Sequence, residues 1–364
     1  MIQHKQPKMK AKRVSKAQRV DIITTLPQAI IETILCLLPI EEAARTSVLS
    51  KEWRYKWTTL PKLEFYEDDV KLLSGTSSIS DLESARKNMD TRCKLFYTIH
   101  QVLLLRQGPI HDFTLLMDAH RSCYEIDQIL LHLSRNHAVK KLRFEFEDYN
   151  TYALPLSFFS LHHLTDLYLE NCNIDQKPIF NGFANLTNLS FICGKISGKA
   201  LQHLLSNCPS LKSLYLQILE EDFLGSEYPS IMELFKCLPM IEDLTIWGDT
   251  ILPLVKASLP QELPASLLHL KYCIIQQMCF VDGYRLPFLA VLMKCSPNLE
   301  KIELQIDDSD RDMVMLEEDS VTLEEFSNVW LEHLNVLEIE YFTHVKLVLE
   351  LVKFILARSP SLKK

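Results

Sequence analysis

Eight short apolar-alternating segments recur along this 364-residue chain, and no other feature limits the available folds as strongly. They are Leu142-Arg143-Phe144-Glu145-Phe146, Leu167-Tyr168-Leu169, Leu189-Ser190-Phe191, Leu214-Tyr215-Leu216, Leu244-Thr245-Ile246, Leu270-Lys271-Tyr272, Ile302-Glu303-Leu304 and Leu337-Glu338-Ile339, with the repeating pattern beginning near Phe113. Their spacing drifts between roughly 22 and 35 residues, the period of a stacked repeat lengthened by insertions. Alternation sends one set of side chains inward and leaves the other on an exposed sheet face. Between the strands lie helical or irregular returns, such as Ala200 to Leu211, Leu234 to Ile241, Val291 to Leu299 and Val352 to Leu362. One such unit cannot bury its own apolar face, whereas a stack builds a continuous core. The expected fold is therefore an α/β solenoid.

Ahead of the repeats, Asp21 to Phe65 reads as three short helices. Thr25 followed by Gln28 fits a capping box, with Pro27 in the first turn. Ile30, Ile31, Ile34, Leu35 and Leu38 recur at helical spacing until Pro39 ends the run. Glu41 and Glu42 open a second helix at its acid-favouring end. Ser50 is placed to cap a third, which carries Trp53 and Trp57 four residues apart, and Pro61 marks its exit. A segment of about 40 residues rarely sustains its own core. Its surplus apolar surface must be covered either by the rest of the chain or by a second protein, and periodicity does not decide which.

The residues themselves carry more. Leu26-Pro27, the Ile30/Ile34/Leu38 series, Leu38-Pro39-Ile40, the run Ala43 to Ser50 and Trp53-Arg54-Tyr55-Lys56-Trp57 resemble the F-box of plant F-box/leucine-rich-repeat proteins. Gly108-Pro109-Ile110, Leu154 to Ser160 and Phe180 to Phe183 also look like that group, and Trp330 to Lys364 resembles its FBD module. The resemblance implies a short all-helical F-box followed by a leucine-rich-repeat solenoid with parallel strands on its concave face. The expected boundaries are a basic, disordered tail over 1–20, the F-box over 21–65, repeats over 66–327 and FBD-like repeats over 328–364. Because the sequence stops where a further strand is due, the last repeat is expected to be incomplete. A Skp-type adaptor, and through it a cullin, is the implied partner. Leu26, Pro27, Ile30, Ile34, Leu35, Leu38, Pro39, Val48 and Trp53 would supply the apolar contact with it.

Composition excludes several other functions. No run of 18 apolar residues exists to span a membrane, and Met1 to Arg19 lacks the apolar centre of a signal peptide. Ten scattered cysteines with no C-x-x-C pair fit reduced thiols and a nuclear or cytoplasmic location. Seven cations and no acid precede Asp21, so the remaining chain carries −15 against −8 overall, which argues against nucleic-acid binding by the body. The basic tail is open to two readings, an import signal or a solubilising arm. The acidic stretch 307–325 is likewise either a solvated insertion or an electrostatic lure.

No catalytic set, cofactor or metal site is expected. Gly194 to Ala200 mimics a phosphate loop, but its glycine spacing is one residue short and Ala200 replaces the magnesium-binding hydroxyl. His132/His137 and Cys273/Cys279 lack zinc spacing, and Cys172 falls where such repeats hold a packed Asn or Cys. Outward positions form one column of Arg143, Tyr168, Ser190, Tyr215, Thr245, Lys271, Glu303 and Glu338. A second holds Glu145, Glu170, Gln217, Trp247, Gln305 and Glu340. Tyr168, Tyr215 and Trp247 are the candidate substrate contacts, since large amphipathic side chains dominate binding hot spots. Cross-strand packing is the other reading of the same three. The implied function is substrate recognition for an SCF-type E3 ubiquitin ligase, without catalysis by this chain. The alternative is a repeat scaffold uncoupled from ubiquitin transfer.

Overall fold

The computed structural model describes residues 23, 25–67, 81–118, 123–147, 151–174, 182–224, 229–256, 267–278, 285–306, 329–341 and 346–363. The basic tail, Gly75 to Ser78, Phe180-Asn181, Cys279 and the acidic stretch 307–325 lie outside them. The chain divides into two compact units, Met1–Thr59 and Leu60–Lys364.

In the first unit, α1 (Gln28–Leu35) and α2 (Ile40–Arg45) are followed by two 3-10 helices, Thr46–Val48 and Trp53–Thr59. Pro27 is the N-cap, with no side-chain cap, and its carbonyl accepts from Ile30 and Ile31 at 2.9 and 3.2 Å. Gln28 donates to Glu32 at 2.9 Å and accepts from Lys56. Thr59 donates to Glu32 at 3.1 Å, so the second 3-10 helix is tied to α1 at its middle and at its C-terminal end. Ser50 does accept from the Trp53 amide at 3.3 Å, but the helix it starts is 3-10 rather than α.

Among its described residues the second unit carries twelve strands: β1 (Lys62–Tyr66), β2 (Asp112–Met117), β3 (Lys141–Phe146), β4 (Tyr152–Ala153), β5 (Asp166–Glu170), β6 (Cys172–Asn173), β7 (Asn188–Ile192), β8 (Ser213–Gln217), β9 (Asp243–Trp247), β10 (Tyr272–Met278), β11 (Lys301–Ile306) and β12 (Val336–Glu340). Ten form one sheet in the order β1-β2-β3-β5-β7-β8-β9-β10-β11-β12, every neighbouring pair parallel. Strands thus neighbour in chain order, as a stacked repeat requires. β1 alternates half-buried and buried residues and pairs with β2, so the sheet begins there.

Inward residues such as Leu142, Phe144, Leu167, Leu189, Leu214, Leu244, Ile302 and Leu304 are all buried. At one end the core is aromatic: Phe65, Phe113, Phe144, Phe146 and Tyr152 touch in series with ring centroids 5.3–6.3 Å apart. Such rings prefer tilted or edge-on contacts, as seen here. The helix α3 (Asp81–Leu105) buries Leu95, Phe96, Ile99, Val102 and Leu103. α4 (Tyr124–Asn136), α5 (Gly198–Ser206), α6 (Ile231–Lys236), α7 (Gly248–Lys256), α8 (Arg285–Cys295) and α9 (Lys346–Arg358) supply the helical returns. Ser197 caps α5 through the Ala200 amide, and Ser230 with Glu233 forms a capping box on α6.

One strand is displaced from its expected place. Leu270 closes a turn onto Leu267, and β10 begins only at Tyr272. Pairing sets Ile274, not Lys271, beside Thr245 and Glu303. Cys273 and Ile275 then face inward, level with Leu244/Ile246 and Ile302/Leu304. At the end of the order, Leu337 and Ile339 of β12 are only half-buried, whereas the same rows are buried in the other strands.

Candidate partner-binding surfaces

The first surface belongs to the helical unit. α1 turns about 100° per residue, so its apolar positions divide into two stripes. Ile31 and Leu35 face inward, with Leu35 only 1% exposed. Ile30, Ile34, Leu37 and Leu38 are exposed, Leu37 at 80%. Val48 at 88% and Leu49 at 67% add a second exposed pair at the end of the first 3-10 helix. Pro27 and Pro39 are exposed as well, and Leu26 is half-buried. Seven of the nine residues expected to meet an adaptor are therefore accessible or partly so. Leu35 and Trp53 are not: Trp53 is 5% exposed, and both are part of the fold's own interior. Leu37 and Leu49 are additions. The buried Ile31–Leu35 phase alone would have placed Leu37 on the open stripe.

The second surface is the outward face of the ten-stranded sheet. Register fixes one row as Glu64, Thr114, Arg143, Tyr168, Ser190, Tyr215, Thr245, Ile274, Glu303 and Glu338. The next row holds Glu145, Glu170, Ile192 and Gln217 in register, and Trp247 beside Gln276. Two groups of side chains order this face. The Arg143 guanidinium lies 3.9 Å from the Tyr168 ring centroid and bonds Glu145 at 2.7 Å. Tyr168 donates to Glu170 at 2.6 Å. One strand beyond Ser190, Trp247 Nε1 donates to the Tyr215 hydroxyl at 2.6 Å, and that hydroxyl donates to Gln276 at 2.8 Å. Burial, reinforced by neighbouring carboxylates, pushes the Tyr168 hydroxyl far above its usual range and also raises Tyr215, so both stay protonated donors. All three aromatics are half-buried, leaving part of each ring open on the face.

The residues weighed for chemistry take structural places. Gly194 passes so close to the preceding turn that a Cβ would stand 2.2 Å from the Cys172 carbonyl, which explains the glycine without any phosphate. Ser197, in the same segment, is the α5 cap. Cys172 is fully buried and its thiol is pushed up by burial; Cys273 is pushed up to about 12 for the same reason. His132 and His137 meet through their Nε2 atoms at 3.3 Å, and His137 Nδ1 accepts from the Ile110 amide at 3.3 Å. Burial, then His132 and Arg106, lowers His137 to about 4. Among the described residues no three His, Cys, Asp or Glu converge as metal ligands, and no helix is long and apolar enough to cross a membrane.

A small helical unit with an exposed apolar stripe, followed by a parallel sheet built one strand per repeat, defines a leucine-rich-repeat protein with an N-terminal helical module. Comparison with known families agrees region by region. Residues 23–65 match the F-box domain, 128–252 the leucine-rich repeats of the FBD-associated F-box protein At5g56370, and 218–364 the leucine-rich-repeat domain of At1g61320/AtMIF1. The chain is 31% identical over 389 residues to the F-box/FBD/LRR-repeat protein At1g13570 of Arabidopsis thaliana, covering 94% of this chain and 90% of that protein. It is 30% identical to the FBD-associated F-box protein At5g56370 and 28% identical to the putative F-box protein At1g58310, both of Arabidopsis thaliana. Those alignments cover 53% and 61% of this chain, and 42% and 46% of the relatives. The chain belongs to the plant F-box/FBD/leucine-rich-repeat family.

Proposed function

We propose that this chain is the substrate-recognition subunit of an SCF-type E3 ubiquitin ligase, working in the nucleus, the cytoplasm or both. The exposed apolar stripe of the F-box docks a Skp-type adaptor, which joins it to a cullin, and the sheet face holds a protein substrate. Leu26, Pro27, Ile30, Ile34, Leu38, Pro39 and Val48 carry the adaptor contact, with Leu37 and Leu49 beside them. The observation that carries this reading is the accessible stripe itself, lying within the residues that match the F-box model. Contiguous exposed apolar surface of this kind marks interaction sites.

The chain performs no ubiquitin chemistry in this reading. It holds the substrate near a conjugating enzyme and raises its effective concentration there. Tyr168, Tyr215 and Trp247 are the anchors on the substrate side. Co-purification of the full chain with a Skp-type adaptor, followed by reconstituted ubiquitination, tests both halves. Leu26→Ala combined with Pro27→Ala should abolish adaptor capture while the repeat unit still melts cooperatively. Undiminished capture would refute the docking role, and capture without substrate modification would favour the uncoupled scaffold.

A further inference from the structure

We propose that the notch over Ser190, between Tyr168 and Tyr215, receives a lysine or arginine side chain from a basic segment of the substrate. This rests on the sheet face being the substrate surface, as proposed above.

Register puts Tyr168, Ser190 and Tyr215 on three successive strands in a single row. Neighbouring strands stand about 4.8 Å apart, so the two tyrosine strands are separated by roughly 9.6 Å with only a serine hydroxymethyl between them. A cation held midway would stand about 4.8 Å from each tyrosine strand, inside the roughly 6 Å range of a cation–π contact with either ring. The same row already shows this contact once: the Arg143 guanidinium lies 3.9 Å from the Tyr168 ring centroid, reaching it from the strand opposite Ser190. The side of Tyr168 toward Ser190 has no such neighbour in the row.

Both walls are fixed before any ligand arrives. Tyr168 is tied to Glu170 at 2.6 Å, and Tyr215 is tied to Trp247 and Gln276 at 2.6 and 2.8 Å. Pre-ordered rings lower the entropy lost on binding. In the adjoining row, Glu170 lies in register with Ile192, so a carboxylate borders a half-buried apolar floor. That combination suits the charged head and aliphatic stem of a basic side chain.

Charge across the face selects the same occupant. With the row that opens the strands, running Lys62, Asp112, Lys141 and Asp166 through Asp243 to Lys301, the three outward rows of the sheet carry nine carboxylates and four cations. Three of the four cations are already engaged: Lys62 with Glu64 at 2.9 Å, Arg143 with Glu145 at 2.7 Å, and Lys301 with Glu338 at 2.6 Å. The surplus is negative, which draws a basic segment and repels an acidic one.

The test uses the full chain and three fluorescein-labelled Gly/Ser dodecapeptides bearing three arginines, three lysines or three glutamates, read by fluorescence anisotropy. Arginine or lysine peptides should bind, the glutamate peptide should not, and the first two arms identify which cation fits better. Ser190→Leu fills the notch and should weaken binding about tenfold. Glu170→Gln, nearly isosteric, should weaken it several-fold and flatten its salt dependence, and it keeps the test sound should Ser190→Leu disturb the sheet. Equal binding by wild type and both variants overturns the proposal, as does equal binding of the glutamate peptide. Adaptor capture and substrate labelling by Tyr215→Ala/Trp247→Ala are measured in parallel. If those behave as expected while basic peptides ignore the notch, the notch assignment fails and the sheet-face reading survives. If the notch binds but no adaptor is captured, the ligase reading fails instead.

Discussion

Replacing Ile34 and Val48 together by alanine separates docking from folding. Ile34 is 41% exposed and Val48 is 88% exposed, so neither contributes much to the interior of the free chain. Fully burying an aliphatic side chain of this size is worth about 1.5–3 kcal/mol. Scaled by the exposed fractions, covering the pair with a partner is worth roughly 2–4 kcal/mol, of which alanine retains a part. The expected loss is about 2 kcal/mol, or roughly thirtyfold in Kd for the adaptor. Stability should fall by no more than about 1 kcal/mol, from the part of Ile34 that the fold already covers. Leu35→Ala is the contrasting case, since it empties a buried site and should cost about 2–5 kcal/mol of stability. Calorimetric titration of a purified Skp-type adaptor, paired with thermal melts, reads both quantities. An adaptor Kd within twofold of wild type for the double variant, with unchanged melting, would refute the assignment of this stripe.

Three further outcomes follow from the second unit. His137 titrates near 4 in the fold against about 6.5 when unfolded, so the unfolded chain takes up the proton first as pH falls. Stability is full above about pH 6.5 and declines toward pH 4 by about 1–2 kcal/mol, after discounting for the ring's partial solvent exposure; His137→Asn, which keeps an acceptor for the Ile110 amide, should flatten that part of the urea-midpoint profile. Gly194→Ala should lower the melting temperature by the equivalent of at least about 2 kcal/mol, because the added Cβ meets a backbone carbonyl at 2.2 Å, while leaving adaptor capture intact. Trp247→Phe removes the donor to Tyr215 and should cost about 0.5–1.5 kcal/mol in chemical denaturation, with weaker substrate labelling as the second readout.

The repeat was legible wherever local alternation and tertiary pairing agree. Leu142/Phe144, Leu189/Phe191 and Ile302/Leu304 are inward in the sequence pattern and in the sheet alike. At Leu270-Lys271-Tyr272 they part: the phrase looks like the others, yet it starts in a turn, and the strand that follows has the opposite phase. A slip of one residue exchanges the two faces of a strand. Only the pairing of Cys273 and Ile275 with the inward residues of β9 and β11 chooses between the phases, and those partners are about 30 residues away on either side. β1 was missed for a related reason. Lys62 to Tyr66 alternates, but a five-residue alternation beside the tryptophan helix says nothing by itself about a partner as distant as Asp112–Met117. The hydrogen bonds joining Trp247, Tyr215 and Gln276 were equally invisible, since they span three strands.

Family resemblance has the opposite weakness on α1, because it groups residues that the helix then separates. Ile31 and Leu35 suffice as an inward stripe; lysine or glutamate at 30 and 34, and at 37 and 38 in the turn beyond the helix, would serve the fold as well as the aliphatic residues there do. A helix that is apolar on two stripes, one of them open to solvent, therefore has more apolar surface than its own folding requires. In water each such side chain favours association and lowers solubility. The excess is explained if a second protein covers the outer stripe, which ties the adaptor proposal to the phase of a single helix rather than to the motif as a whole.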